Sequence, residues 1–148
     1  DGPIHEELPY AAHTRKGELR ARMAEQVAEA HRSGRLRTAA ARGSDFYGPG
    51  VLGSTLGERV FAPALAGRPA RLVGRLDQPH SYTYIGDFGA AMATLGERDE
   101  ALGRHWHVPT APARTQRELV ELIGAELGRP LKVQTMGRLM MTLGGLFI

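Results

Sequence analysis

Chemistry concentrates in one stretch of this chain, Arg42-Gly43-Ser44-Asp45-Phe46-Tyr47-Gly48-Pro49-Gly50. A run of small apolar residues leads into it, and Gly48-Pro49-Gly50 supports neither a ladder nor a helix. The stretch reads as a strand passing into a loop, and in open α/β sheets ligands sit just outside the carboxyl ends of strands. Asp45 has two readings of equal weight: a carboxylate facing a ligand, or an Asx side chain capping its own turn. Arg42 is read as half of an ion pair or as an anchor of the loop, with ligand contact as the lesser alternative, and Tyr47 as a packing residue.

The other candidates are weaker. Tyr10 and Lys16 stand six residues apart, and Lys16 reads as an exposed cation in the first turn of a helix. His105 and His107 share a strand face and can hold a metal. With no carboxylate or third histidine spaced to join them, they read as a packed, hydrogen-bonded pair, and no metal is assigned. Gly50, Gly53 and Gly57 lack the Gly-x-Gly-x-x-Gly spacing and follow a proline loop rather than a strand, so no pyrophosphate turn is assigned.

The elements that must position these residues follow from periodicity. Residues 1–13 hold two prolines and no period, which predicts loop. Leu19, Met23, Val27 and Ala30 fall on one helical face, closed by Ser33-Gly34, and a strand is predicted over 36–41. Leu56, Val60, Phe61 and Leu65 predict a second helix that Pro63 kinks or divides. Strands are predicted over 70–73 and 81–85, the latter leading to Asp87 as the cap of a third helix that carries Phe88, Met92 and Leu95 and ends at Gly96. A strand at 105–108 stops at Pro109. Thr115 with Glu118 forms a capping box for a helix lined by Leu119, Leu122, Ile123 and Leu127, and a last strand is predicted over 131–135. Strands alternating with helices predict an α/β unit with a small, mostly parallel sheet.

Arg-x-Ser-x-x-Tyr-Gly-Pro-Gly over 42–50 resembles the loop after the sixth strand of the extended short-chain dehydrogenase/reductases, the NAD-dependent epimerase/dehydratase family. Residues 74–87, Gly-Arg-Leu-Asp-Gln-Pro-His-Ser-Tyr-Thr-Tyr-Ile-Gly-Asp, are similar to that family's Gly-Asp-Gly…Arg-Asp-Phe…Val-Asp-Asp. Glu6-Glu7-Leu8-Pro9 resembles the acidic segment before its catalytic helix. The matches span nearly the whole chain but cover only the carboxyl-terminal half of such an enzyme. The resemblance implies one domain over 1–148: a partial Rossmann-like doubly wound sheet with small substrate-lobe elements. The dinucleotide-binding half is absent and expected upstream.

It also implies roles. Gly43 and Ser44 fall where the family covers the nicotinamide, Asp45 where it often places an Asn facing the substrate, and His80 where sugar-nucleotide members carry an Arg that grips diphosphate. Exchange of Arg for His loses the bidentate fork. Thr14 and Glu18 occupy the positions of the catalytic Tyr and Lys and cannot do their work, which leaves Lys16 as a candidate contact to a ribose or carbonyl oxygen. The implied function is a segment of an NAD(P)-dependent oxidoreductase acting on a carbonyl or sugar-like substrate, inactive alone and binding no dinucleotide alone. A small-ligand or partner-binding α/β domain without catalysis is the alternative.

Composition bounds the rest. With 148 residues and 42% hydrophobic content the chain can bury one core. It has no cysteine, and a net charge of +3 in which arginine is interspersed with acids, the mark of a solvated surface rather than a nucleic-acid stripe. The opening residues do not form a signal peptide, and the apolar run at 139–148 is too short to span a bilayer. That run reads as a packing face through which copies can associate, and a cytoplasmic location is expected.

Overall fold

Thr14 opens the first helix: its Oγ1 accepts a hydrogen bond from the Gly17 N–H at 3.1 Å, satisfying one of the donors that a helix start leaves unpaired. The computed structural model describes residues 4–136. In chain order the elements are α1 (Arg15–Arg32), β1 (Ala40–Arg42), β2 (Asp45–Tyr47), a π-helical turn (Gly57–Phe61) running into α2 (Ala62–Leu65), β3 (Ala70–Val73), β4 (Pro79–His80), β5 (Tyr82–Tyr84), α3 (Ile85–Gly96), a 3-10 turn (Asp99–Ala101), β6 (His105–His107), β7 (Arg114–Thr115), α4 (Gln116–Glu126) and β8 (Val133–Met136). Among the described residues no helix is long and apolar enough to cross a membrane.

The fold is mixed α/β with short parallel pairs, as the alternation of strands and helices predicts. β1 pairs with β6, β2 with β5 and β3 with β8, all parallel, while β4 and β7 are antiparallel. Three expectations need correction. The strand expected over 36–41 forms at Ala40–Arg42, the three residues that pair with β6. The stretch beyond Arg42 is not loop throughout: Asp45–Tyr47 is a strand, held by tertiary pairing that local pattern does not encode. Asp87 is not a cap, since α3 begins at Ile85 and includes it in the first turn. The apolar run at 139–148 lies outside the described residues.

The chain forms two compact units, Asp1–Gly43 with Gly86–Pro109, and Ser44–Ile85 with Thr110–Ile148. In the first, β1 and β6 pair in the register Ala40↔His105, Ala41↔Trp106 and Arg42↔His107. Trp106 Nε1 donates to the Ala101 carbonyl at 3.0 Å. Gly103 has φ +75°, and a Cβ there would lie 2.8 Å from His31 Nε2, so the turn into β6 requires glycine. In the second unit Leu56, Val60, Ala70 and Leu72 form the core, packed by Leu119, Val120 and Ile123. Burying Val60 and Leu72 contributes about 1.5–3 kcal/mol each. α4 is fixed at its start by the expected capping box: the Thr115 Oγ1 accepts from the Glu118 N–H at 3.1 Å, and Glu118 Oε2 accepts from the Thr115 N–H at 2.7 Å.

Candidate functional site

The second unit gathers Ser44, Asp45 and His80. β2 lies against β5 in the register Asp45↔Tyr82, Phe46↔Thr83 and Tyr47↔Tyr84. Thr83 is fully buried, and its hydroxyl oxygen accepts from the Ser44 N–H at 2.8 Å. The Ser44 hydroxyl donates to the Ser81 carbonyl at 2.5 Å. These bonds pin the first residue of the loop to the neighbouring strand. Past β2, Gly48 takes φ +126°, and a Cβ there would meet the Tyr84 ring at 2.8 Å, so only glycine lets the chain turn away so close to β5.

Asp45 Oδ2 lies 3.2 Å from His80 Nε2, across 35 positions of sequence. Both side chains are about half exposed, at 51% and 47%, so the pair adds at most about 1 kcal/mol to stability and orients more than it stabilises. A carboxylate only accepts, so Nε2 is the donor. Neutral His80 then presents the Nδ1 lone pair, an acceptor for a ligand hydroxyl, and protonated His80 presents a second N–H. The His80 ring stands edge-on to Tyr82 at 4.8 Å. Burial, and then the Asp45 charge, raise the Tyr82 phenol above its ordinary value, which keeps it a protonated donor. β4 against β7 sets Arg114 opposite His80 in register. The arrangement can recognise a hydroxyl-rich ligand and offers one guanidinium nearby.

The remaining sequence candidates have other partners. The Thr14 hydroxyl is engaged as the α1 cap, and Lys16 is exposed in that helix's first turn. Gly43 closes the first unit and Ser44 opens the second. The residues here do not fit a dinucleotide's phosphates, because the Ser44 N–H and hydroxyl are already spent on Thr83 and Ser81. Arg42 forms no ion pair with a carboxylate among the described residues; its guanidinium donates to the Tyr10 hydroxyl, so the anchor reading holds and the ion-pair reading does not. His105 and His107 make separate contacts, His105 with Tyr10 and the His107 N–H with Glu6 Oε1 at 2.8 Å. Among the described residues no three potential ligands gather around a metal position. Sequence reasoning missed Thr83, Ser81 and Arg114. The Tyr-Thr-Tyr alternation marks a strand, but nothing local signals which partner fixes its register.

No family model matches the chain, and no curated protein does. Solved structures do. A dTDP-glucose 4,6-dehydratase from Bacillus anthracis in complex with NAD matches 93% of this chain and 44% of its own, with a TM-score of 0.79 at 20% identity. A variant UDP-glucuronic acid 4-epimerase from Bacillus cereus, in complex with a fluorinated UDP-glucuronic acid and NAD, gives the same TM-score and coverage at 16% identity. A UDP-glucose 4-epimerase from Thermus thermophilus in complex with NAD matches 92% of this chain and 49% of its own, at a TM-score of 0.68 and 22% identity. The chain thus spans under half the length of these proteins, and over that span it has the Rossmann-like fold of part of the epimerases and dehydratases solved with NAD.

Proposed function

We propose that this chain is the carboxyl-terminal part of an NAD(P)-dependent epimerase/dehydratase-like oxidoreductase acting on a carbonyl or sugar-like substrate, with Asp45 and His80 as substrate contacts. The observation that carries the reading is the 3.2 Å pairing of Asp45 with His80, which joins the two stretches that resemble the family's motifs. The matches to sugar-nucleotide enzymes support it. Gly43 and Ser44 would cover the nicotinamide of NAD or NADP, whose phosphates the upstream half would hold. A bound dinucleotide supplies the hydride acceptor or donor. This chain's residues orient the substrate: Asp45 fixes the His80 ring, and His80 meets a hydroxyl through Nδ1 or a phosphate when charged.

The test uses the protein with its upstream half and measures sugar-nucleotide affinity by calorimetry. Asp45→Ala should weaken binding about tenfold, the effect of losing a charge-assisted contact and the orienting bond. His80→Arg should strengthen binding at pH 8 about fivefold by restoring the fork. Unchanged affinity in both variants would remove these residues from the site, and no binding by any form would move the substrate to another class.

A further inference from the structure

A second cluster, wholly within the first unit, has no role in the reading above. Arg42 donates to the Tyr10 hydroxyl and lies over the Tyr10 ring at 5.2 Å, and Tyr10 Oη is 3.2 Å from His105 Nε2. Guanidinium has only donors, so the phenol oxygen accepts from Arg42. The arrangement that uses every donor then sends the phenol hydrogen to Nε2 and leaves the His105 proton on Nδ1. Burial, then Arg42 and His107, lower the His105 pKa, which fits a neutral ring in that tautomer. Arg42 spends one of its five N–H groups on Tyr10, and among the described residues no carboxylate takes the rest.

Arg42 and His105 line one cavity of about 160 Å³. Met23, Ala24, Val27 and Ala28 of α1 form its apolar wall, and none of its lining residues is acidic. Arg104 also lines it, but its guanidinium lies over the Trp106 ring at 4.6 Å and is engaged there. At about 30 Å³ per water the space holds roughly five waters, the bulk of a short organic acid. An apolar wall facing a cation with free donors, and lacking any negative group, recognises an anion that carries a short apolar body. We propose that this cavity is a binding site for a short-chain carboxylate, its head on Arg42 and His105 and its chain against Ala24 and Ala28.

The test titrates the chain with butyrate, butyramide and inorganic phosphate and follows backbone amides by NMR. Butyrate should shift amides of 24–28 and 103–105 saturably, with a constant near 1 mM. Butyramide and phosphate should each bind about tenfold more weakly, one lacking the charge and the other the apolar body. Arg42→Gln should weaken butyrate about tenfold. Ala28→Leu fills the wall without touching the Arg42 cluster and should do the same, with the thermal midpoint of each variant checking that it folds. Absence of saturable shifts up to about 50 mM overturns the site. Equal binding of butyramide or phosphate overturns the ligand class, and wild-type affinity in Ala28→Leu overturns the location.

Discussion

At the scale of single residues, the protonation of a polar side chain follows from what engages it. His105 is the clearest case. Burial, Arg42 and His107 each disfavour its imidazolium, so its folded pKa lies below the ordinary histidine value. In the window between the two values the unfolded chain binds more protons than the folded one, so stability falls as pH drops from above the ordinary value through the folded one. His105→Gln removes that titration. Urea midpoints at pH 7.5 and pH 5 should therefore fall less for the variant than for wild type; an equal fall in both would assign the loss to other groups. The sequence could not supply this result, since His105 meets Tyr10 across 95 positions and no spacing rule joins them.

At the scale of elements, legibility depends on whether the signal is local. The α4 start was readable because Thr115 and Glu118 carry the whole motif within one turn, and the end of α3 because Gly96 breaks the pattern. β1 and β2 were misread because their partners, β6 and β5, come from distant sequence. The amphipathic stripe on α1 was correctly patterned, yet Leu19, Met23 and Val27 remain 53%, 56% and 44% exposed, so periodicity identified a face without identifying what covers it. A test belongs at α4. Thr115→Ala removes the hydroxyl that accepts from the Glu118 N–H and should lower stability by about 1 kcal/mol at neutral pH, measured by denaturant unfolding. The Glu118 carboxyl is held below its ordinary value by the Thr115 backbone N–H first and by the Thr115 hydroxyl second. A depressed carboxyl stabilises the fold above its unfolded pKa and loses that contribution as pH falls through the folded one. The gap between wild type and variant should therefore narrow toward pH 3, and a gap independent of pH would show that the hydroxyl does not act through Glu118.

At the scale of the whole molecule, the chain matches less than half of each solved enzyme it resembles. Binding a dinucleotide requires backbone N–H groups at a Gly-rich turn opening a helix, where the amides and the helix dipole meet the pyrophosphate. Gly48, Gly50 and Gly53 have the Gly-x-Gly-x-x-Gly spacing straight after β2, but residues 66–75, where the fingerprint needs an acid, hold none, and the Ser54 hydroxyl already accepts from the Gly57 N–H at 3.0 Å. Among the described residues, α1 and α4 are capped by Thr14 and Thr115, whose hydroxyls each take one first-turn amide, that of Gly17 and that of Glu118. Ser44, in the loop that the resemblance assigns to the nicotinamide, has its N–H and hydroxyl already bonded. Covering a ring edge without holding the phosphates recovers too little free energy to offset the lost freedom of a large ligand. The isolated chain should therefore show no saturable NADH quenching with a constant below about 10 μM, a binding free energy near 7 kcal/mol. Under the proposed reading, a polypeptide that supplies a dinucleotide-binding half should confer quenching when added. Saturable quenching by the chain alone would mean that it holds a dinucleotide despite these departures from the fingerprint.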